Sequence, residues 1–367
     1  MVPDPCDLAA SGVVPVGACW RAYTRKLTRP WHTAQGRLDV RRGYLVRLET
    51  DDGLTGFGEC APLPAAGTET LQQAHAALGE LLSACRGLAP ADLPAVLARG
   101  RATPAARCAV ETALLDLAAQ SRGIPLFRLL HPEAQRTVPV NAALGRLDGA
   151  FEARLREALD QGFRVQKVKL GVYPVAEELL RLGVACRSLP AGITLRLDAN
   201  GAWTPAVATD VIAVLADLPI ESLEEPLATP DPDVLRALQA LTAFPLALDE
   251  SLTGRDRERL LAEPPVRRLV LKPMALGGLL PALELRRRAV RAGMDCVVTS
   301  TLEGDIGLWA AAHLAAGFGP DLAHGLATAG WFEDARQAPV PNAGVIRLPE
   351  LPGLGRVAET DGDWVDA

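Results

Sequence analysis

The chain has no Cys-x-x-Cys pair, no long basic run and no apolar stretch approaching the roughly 18 residues that cross a bilayer. Its seven cysteines (Cys6, Cys19, Cys60, Cys85, Cys108, Cys186 and Cys296) are odd in number and scattered. That excludes a disulfide framework and describes reduced, mostly buried thiols in a cytoplasmic protein. No histidine stands near any of them at a spacing that would mark a catalytic thiol. A net charge of −6 without a basic cluster excludes a nucleic-acid face. The first twenty residues, MVPDPCDLAASGVVPVGACW, carry acids and prolines where a secretion signal carries lysines, so no targeting or membrane segment is expected. What is present is 367 residues, 49% of them hydrophobic, enough for a full core and two domains.

Two patterns divide the chain. Residues from about 10 to 62 alternate as strands, with a hairpin turn at Asp51-Asp52-Gly53 between GYLVRLET and LTGFGECAP. The polar stretch between the first two strand runs, RPWHTAQGRLDVRR, reads as a loop. Helical spacing follows at about 69–86, 91–99 and 104–122, the last ending at Gly123, a good C-cap. From Thr137 strand and helix alternate strictly. The strands are TVPVNAAL, VQKVKL, ITLRLDA, IESLEE, PLALDE, RRLVLKP, DCVVTST and DLAHGL; the helices between them fall at about 148–162, 174–189, 205–217, 231–242, 255–262, 278–292 and 304–316. Eight βα repeats predict a closed α/β barrel rather than an open sheet. The expected organisation is an α+β capping domain over 1–132, a (β/α) TIM-type barrel over 133–328, and a segment over 329–367, with the strand-like piece GVIRL, that returns to the capping domain.

The barrel strands share a feature. Lys169, Asp198, Glu224, Asp249 and Lys272 end successive apolar runs at intervals of 29, 26, 25 and 23 residues. A βαβ unit runs to about 30 residues, so these side chains belong on one rim, where the active sites of such barrels lie. Asp and Glu after strands also serve as helix N-caps. Three in register and flanked by lysines are better explained as an all-oxygen, trianionic set for a hard cation such as Mg²⁺, with Mn²⁺ as a substitute. Lys167 and Lys169 are two apart and share a face of their strand. Lys272 lies four strands away, across the barrel. A lysine crowded by like charge and a cation becomes a general base, and together these parts suit proton abstraction next to a metal-bound carboxylate.

On these residues the chain resembles the enolase superfamily, in its muconate-lactonizing-enzyme-like subgroup, nearly end to end. The motifs are VQKVKLG, LDAN, LEEP, LDES and LKP, with the capping segment GFGECAPLPAAGTET. The resemblance implies that Asp198, Glu224 and Asp249 hold Mg²⁺, that Lys169 is the catalytic lysine with Lys167 its helper, and that Lys272 is the lysine opposite. It places Asn200, Glu225 and Glu250 just behind the metal ligands. Within the subgroup the likeness is greatest to the o-succinylbenzoate synthase family, which eliminates water from a cyclohexadiene carboxylate. In TSTLEGDIG, Thr299 and Thr301 stand where that family has serines; with Ser300 they retain hydroxyls for the substrate before Glu303. The loop around Trp31 and His32 is expected to close over the succinyl tail. The implied partner is a small carboxylate substrate, and a homo-oligomer is compatible with the sequence.

Two opposed lysines suit 1,1-proton transfer as well, so N-acylamino acid racemases, dipeptide epimerases and cycloisomerases remain alternatives. Dipeptide epimerases fit less closely, because they carry an Asp-x-Asp at the eighth strand and this chain has LAHGLATAG there. A Schiff-base aldolase on Lys272 would leave three carboxylates unexplained, and a purely structural barrel would leave all of them so. The string GLGRVA at 353–358 follows prolines rather than a strand and is no dinucleotide site.

Overall fold

The computed structural model describes residues 12–33, 36–254, 257–335, 337–355 and 363–367; of His32, Thr33 and Gly36 only the backbone is described. A three-stranded antiparallel meander opens the chain, β1 (Pro15–Thr33), β2 (Gly36–Thr50) and β3 (Thr55–Cys60). The turn between β2 and β3 closes where Gly53 N donates to Thr50 O, with Gly53 at φ 85. The expected loop RPWHTAQGRLDVRR is instead the far end of the β1–β2 hairpin, outside the undescribed residues 34 and 35. Trp31 pairs with Leu38 and Arg25 with Arg41, after a register shift between Lys26 and Trp31. Polar residues suffice there because both strands keep their backbone hydrogen bonds, while Trp31 packs edge-on against Trp331 from the other end of the chain.

Helices Leu71–Cys85, Leu93–Arg99 and Pro104–Ser121 lie beside this sheet. Thr70 and Gln73 form a capping box on the first. Pro104 opens the third, whose first turn is capped by Glu69 accepting from Ala105 N (3.0 Å) and Ala106 N (2.8 Å). Fourteen of its eighteen residues are buried, as befits a helix covered on every side. β3 reaches it closely only because Gly58 has no side chain, since a Cβ there would stand 1.9 Å from Ala109 O.

The second half is a parallel sheet in the order β11-β10-β9-β8-β7-β6-β5. Its strands are β5 (Ala142–Arg146), β6 (Val165–Lys169), β7 (Thr194–Asp198), β8 (Ile220–Glu224), β9 (Leu246–Leu248), β10 (Arg268–Leu271) and β11 (Asp295–Val298). The eighth expected strand, DLAHGL, is too short to form a ladder, yet it closes the barrel. His324 bridges to Val140 and Gly325 to Thr299, through Asn141 N to His324 O (2.9 Å) and Gly325 N to Val298 O (2.8 Å). TVPVNAAL divides in two. β4 (Thr137–Pro139) pairs with β12 (Val345–Arg347), and only the remainder enters the barrel as β5. Near the C-terminus β13 (Val365–Asp366) adds to β1, and Leu354 N donates to Asp116 Oδ1 of helix Pro104–Ser121 (2.8 Å). The described cysteines are free thiols, all buried except half-buried Cys186. No helix among the described residues is long and apolar enough to cross a membrane.

Candidate active site

The ends of β6, β7 and β8 are in register: Lys169 pairs with Asp198 and Asp198 with Glu224. Asp249 follows β9, the next strand, so three carboxylates occupy one quadrant of the rim. They are 6%, 1% and 3% exposed. Two ammonium groups are drawn into them. Lys167 Nζ lies 2.9 Å from Asp198 and 2.7 Å from Glu224, and Lys272 Nζ bonds Asp249. Burial works against the charge on Lys167, but Asp198 and Glu224 outweigh it and raise its pKa. The same contest, won mainly by Asp249, raises that of Lys272. Lys169 differs. Burial lowers its pKa, Asp198 only partly opposes this, and Lys167 adds to it.

The carboxylates are unequal. Burial raises Asp249 above the ordinary range and Glu250 and Glu224 add to it, while the Lys272 ammonium against its oxygen opposes them. Burial also raises Asp198, with Glu224 beside it. For Glu224 burial is outweighed by Lys167, and its pKa is held at about 2. Three buried carboxylates that repel one another are unfavourable without cationic charge among them. Among the described residues no three acidic, histidine or cysteine side chains already form a cage for an ion; ammonium groups lie against their oxygens instead. In donor chemistry the set fits a hard divalent cation: all oxygen, three negative charges, one rim.

Just behind this quadrant, Asn200 and Glu225 take left-handed backbones, at φ 44 and φ 43. Asn200 Nδ2 donates to Glu250 Oε1 (3.0 Å), while its backbone N–H donates to Asp198 Oδ1 (3.1 Å). Glu225 accepts from Asp249 N (2.8 Å) and from the Ser251 hydroxyl, tying the end of β8 to the turn that carries Asp249. Burial raises its pKa to about 7. A cavity of about 330 Å³ opens beside these residues, with Leu227 and Leu260 on its apolar side. The capping domain touches the quadrant as well, since Ala66 lines a small cavity together with Asp249, Glu250 and Lys272.

The hydroxyls of the strand-seven loop are partly committed. Thr301 donates to Glu303 Oε2 (2.8 Å) and Thr299 to Gly325 O (3.2 Å), both residues being buried. Ser300, half-buried, accepts from Leu302 N and from the Thr328 hydroxyl. The side chain of His32 lies outside the described residues. One residue that sequence reasoning missed is Glu178, 2% exposed, which accepts the N–H groups of Gly171, Val172 and Tyr173 and so fixes the turn after Lys169. Its only sequence signal is a Glu pair in the first turn of helix Val175–Arg187, which reads equally as ordinary dipole compensation.

Residues 17–131 match the family described as mandelate racemase / muconate lactonizing enzyme, N-terminal domain, and residues 150–361 the enolase C-terminal domain-like family. Similar proteins include the o-succinylbenzoate synthase of Pectobacterium atrosepticum, 35% identical over 80% of this chain and 84% of the relative. The L-Lys-D/L-Arg epimerase of Methylococcus capsulatus is 32% identical over 90% and 95%. A solved dipeptide epimerase of Methylococcus capsulatus, complexed with Mg and the dipeptide L-Arg-D-Lys, superposes with a TM-score of 0.83 at 32% identity, covering 93% of this chain and 99% of that one. With both halves matched and the same barrel and cap, the chain belongs to the enolase superfamily, in its mandelate racemase / muconate lactonizing enzyme subgroup.

Proposed function

We propose that this protein is a Mg²⁺-dependent o-succinylbenzoate synthase, converting 2-succinyl-6-hydroxy-2,4-cyclohexadiene-1-carboxylate to 2-succinylbenzoate and water. The observation that carries the proposal is the row Lys169, Asp198, Glu224 on adjacent strands, with Lys272 held on Asp249 across the barrel. Asp198, Glu224 and Asp249 would hold the Mg²⁺, which supplies positive charge to the substrate carboxylate. Lys169, the rim lysine whose pKa burial lowers, takes the proton from the carbon bearing that carboxylate. The C–H electron pair becomes an enediolate, and Lys272, kept cationic by Asp249, stabilises it from the other side. Lys169 then gives its proton to the ring hydroxyl as the C–O bond breaks, so that one water leaves and the ring becomes aromatic. Lys167 stays protonated between Asp198 and Glu224 and keeps their oxygens turned into the site.

A second reading, 1,1-proton transfer on an amino-acid derivative, is favoured by the opposed lysines and by the epimerase relatives. A dipeptide carries an ammonium group that needs an acidic partner. The segment Leu322–Gly330 supplies none, and three acids around the strand-seven loop are engaged: Glu303 with Thr301, Glu59 with Tyr23 and Gly304, Asp305 with Arg25. This favours the synthase. The test is turnover with Mg²⁺ of the cyclohexadiene carboxylate, with N-succinylamino acids and dipeptides assayed in parallel for α-proton exchange. Fast dehydration supports the proposal; exchange of either amino-acid class without dehydration overturns it.

A further inference from the structure

Two buried charges of the capping domain grip one loop of the barrel. Arg41 on β2, 3% exposed, donates its three bonds to backbone carbonyls: Nε to Leu302 O (2.8 Å), Nη1 to Pro62 O (2.8 Å) and Nη2 to Ala61 O (2.7 Å). Glu59 on β3, 2% exposed, accepts from Gly304 N (2.6 Å), Gly307 N (2.9 Å) and the Tyr23 hydroxyl (2.6 Å). A guanidinium and a carboxylate are costly to bury unless their hydrogen bonds are satisfied, and here three of the six bonds come from the loop after β11 and the first turn of the helix Asp305–Ala315 that follows it. The loop is shaped to receive them. A Cβ on Gly304 would stand 2.8 Å from Glu59 Oε1, and one on Gly307 would stand 3.3 Å from Glu59 Oε2. Leu302, between them and Ser300, is held at φ 64, a left-handed conformation that an ordinary side chain keeps only when its surroundings impose it.

Arg41 has a second reach. Ala61 and Pro62 begin the capping loop whose Ala66 shares a cavity with Asp249 and Lys272. One planar fork therefore fastens the capping loop and the strand-seven loop to each other above the rim, a geometry that a single ammonium group cannot reproduce. We propose that Arg41 and Glu59 are positioning residues that hold Ser300–Gly304 and Ala61–Ala66 as one rigid rim over the substrate held beside Asp249 and Lys272. The identity of that substrate rests on the synthase reading; the rigid rim does not.

The test uses Arg41→Lys and Glu59→Gln in the full chain, with amide hydrogen exchange followed over 299–307, 61–68 and β6–β9. The result expected is exchange at 299–307 faster by about tenfold in both variants, the scale of one lost charge-assisted hydrogen bond, with 61–68 also faster in Arg41→Lys and β6–β9 unchanged. On the cyclohexadiene carboxylate, KM rises about tenfold while kcat stays within about threefold and its pH profile does not move, because Lys169 and the rim carboxylates are untouched. Unchanged exchange in both variants overturns the proposal. So does protection lost alike in β6–β9, which marks a general role in stability. Should Arg41→Lys fail to fold, the isosteric Glu59→Gln decides by the same readings. Should the wild type fail to turn over the substrate, the synthase reading falls while the exchange data still decide the rim.

Discussion

The two ends of this barrel both bury charge, and they do so in opposite ways. Near the strand N-termini, Arg196 and Arg268 share Glu221, and Arg268 also takes Asp295 at 2.6 Å. Two guanidinium groups meet two carboxylates there, and each acid is matched. Burial opposes the charge on Glu221, but Arg196 and Arg268 outweigh it and hold its pKa at about 2. At the C-terminal rim three carboxylates crowd together, and burial drives Asp198 and Asp249 up, with Glu224 and Glu250 adding to it. Matched charge at one end closes the barrel. At the other, three crowded carboxylates outnumber the two ammonium groups paired with them, an excess that the proposed reading assigns to binding a cation, as perturbed groups at functional sites suggest. On the proposed function, one scaffold separates what keeps it folded from what lets it react.

The sharpest way to break that contrast is to alter one side chain at each end. Lys169→Met is expected to lower kcat by about a thousandfold, in the range for loss of a general base, with the unfolding temperature nearly unchanged by circular dichroism. Glu221→Gln should do the reverse. It leaves Arg196 and Arg268 short of a buried partner and costs about 3 kcal/mol in urea unfolding, the scale for breaking a buried pair, while the folded fraction keeps its kcat. The same acid gives a pH signature. Its folded pKa lies below the unfolded 4.5, so its contribution is fully present above that pH and disappears as the pH falls through about 2. Acid unfolding of Glu221→Gln should lack that portion.

The hairpin between β1 and β2 shows why part of this was legible in the sequence and part was not. Helix limits, strand ends and the rim quadrant follow from local periodicity and spacing, and they were readable because apolar runs ending in Asp, Glu or Lys have few other causes. Residues 29–42 carry no such period; those of them that are described are strand because the partner strand, Trp331 and the loop at Leu302 hold them. TVPVNAAL divides because β12, some two hundred residues away, competes for its first half. Thr299 and Thr301 have the right hydroxyls, but Gly325 and Glu303 already take them, and no local pattern announces such long-range partners. Arg41 and Glu59 are hidden for the same reason.

Metal provides a milder comparison. After treatment with a chelator, Mg²⁺ at about a hundredfold over its Kd should add about 2–3 kcal/mol of stability, read as a rise in unfolding temperature. Glu221→Gln should keep that gain and Asp249→Asn should lose it; equal gains in both variants would place the cation elsewhere. The smallest effect belongs outside the barrel. Arg236 pairs with Asp233 on an exposed helix, and Arg236→Ala should change stability by less than about 0.5 kcal/mol and leave kcat/KM as it was.

The most direct test of the central claim compares wild type and Lys169→Met with saturating Mg²⁺ on 2-succinyl-6-hydroxy-2,4-cyclohexadiene-1-carboxylate, following formation of the aromatic product. The reactive rim assigned here predicts rapid Mg²⁺-dependent dehydration that falls about a thousandfold in the variant, with Mg²⁺ binding preserved. Dehydration that survives the loss of Lys169, or that proceeds equally after the metal is removed, would contradict it.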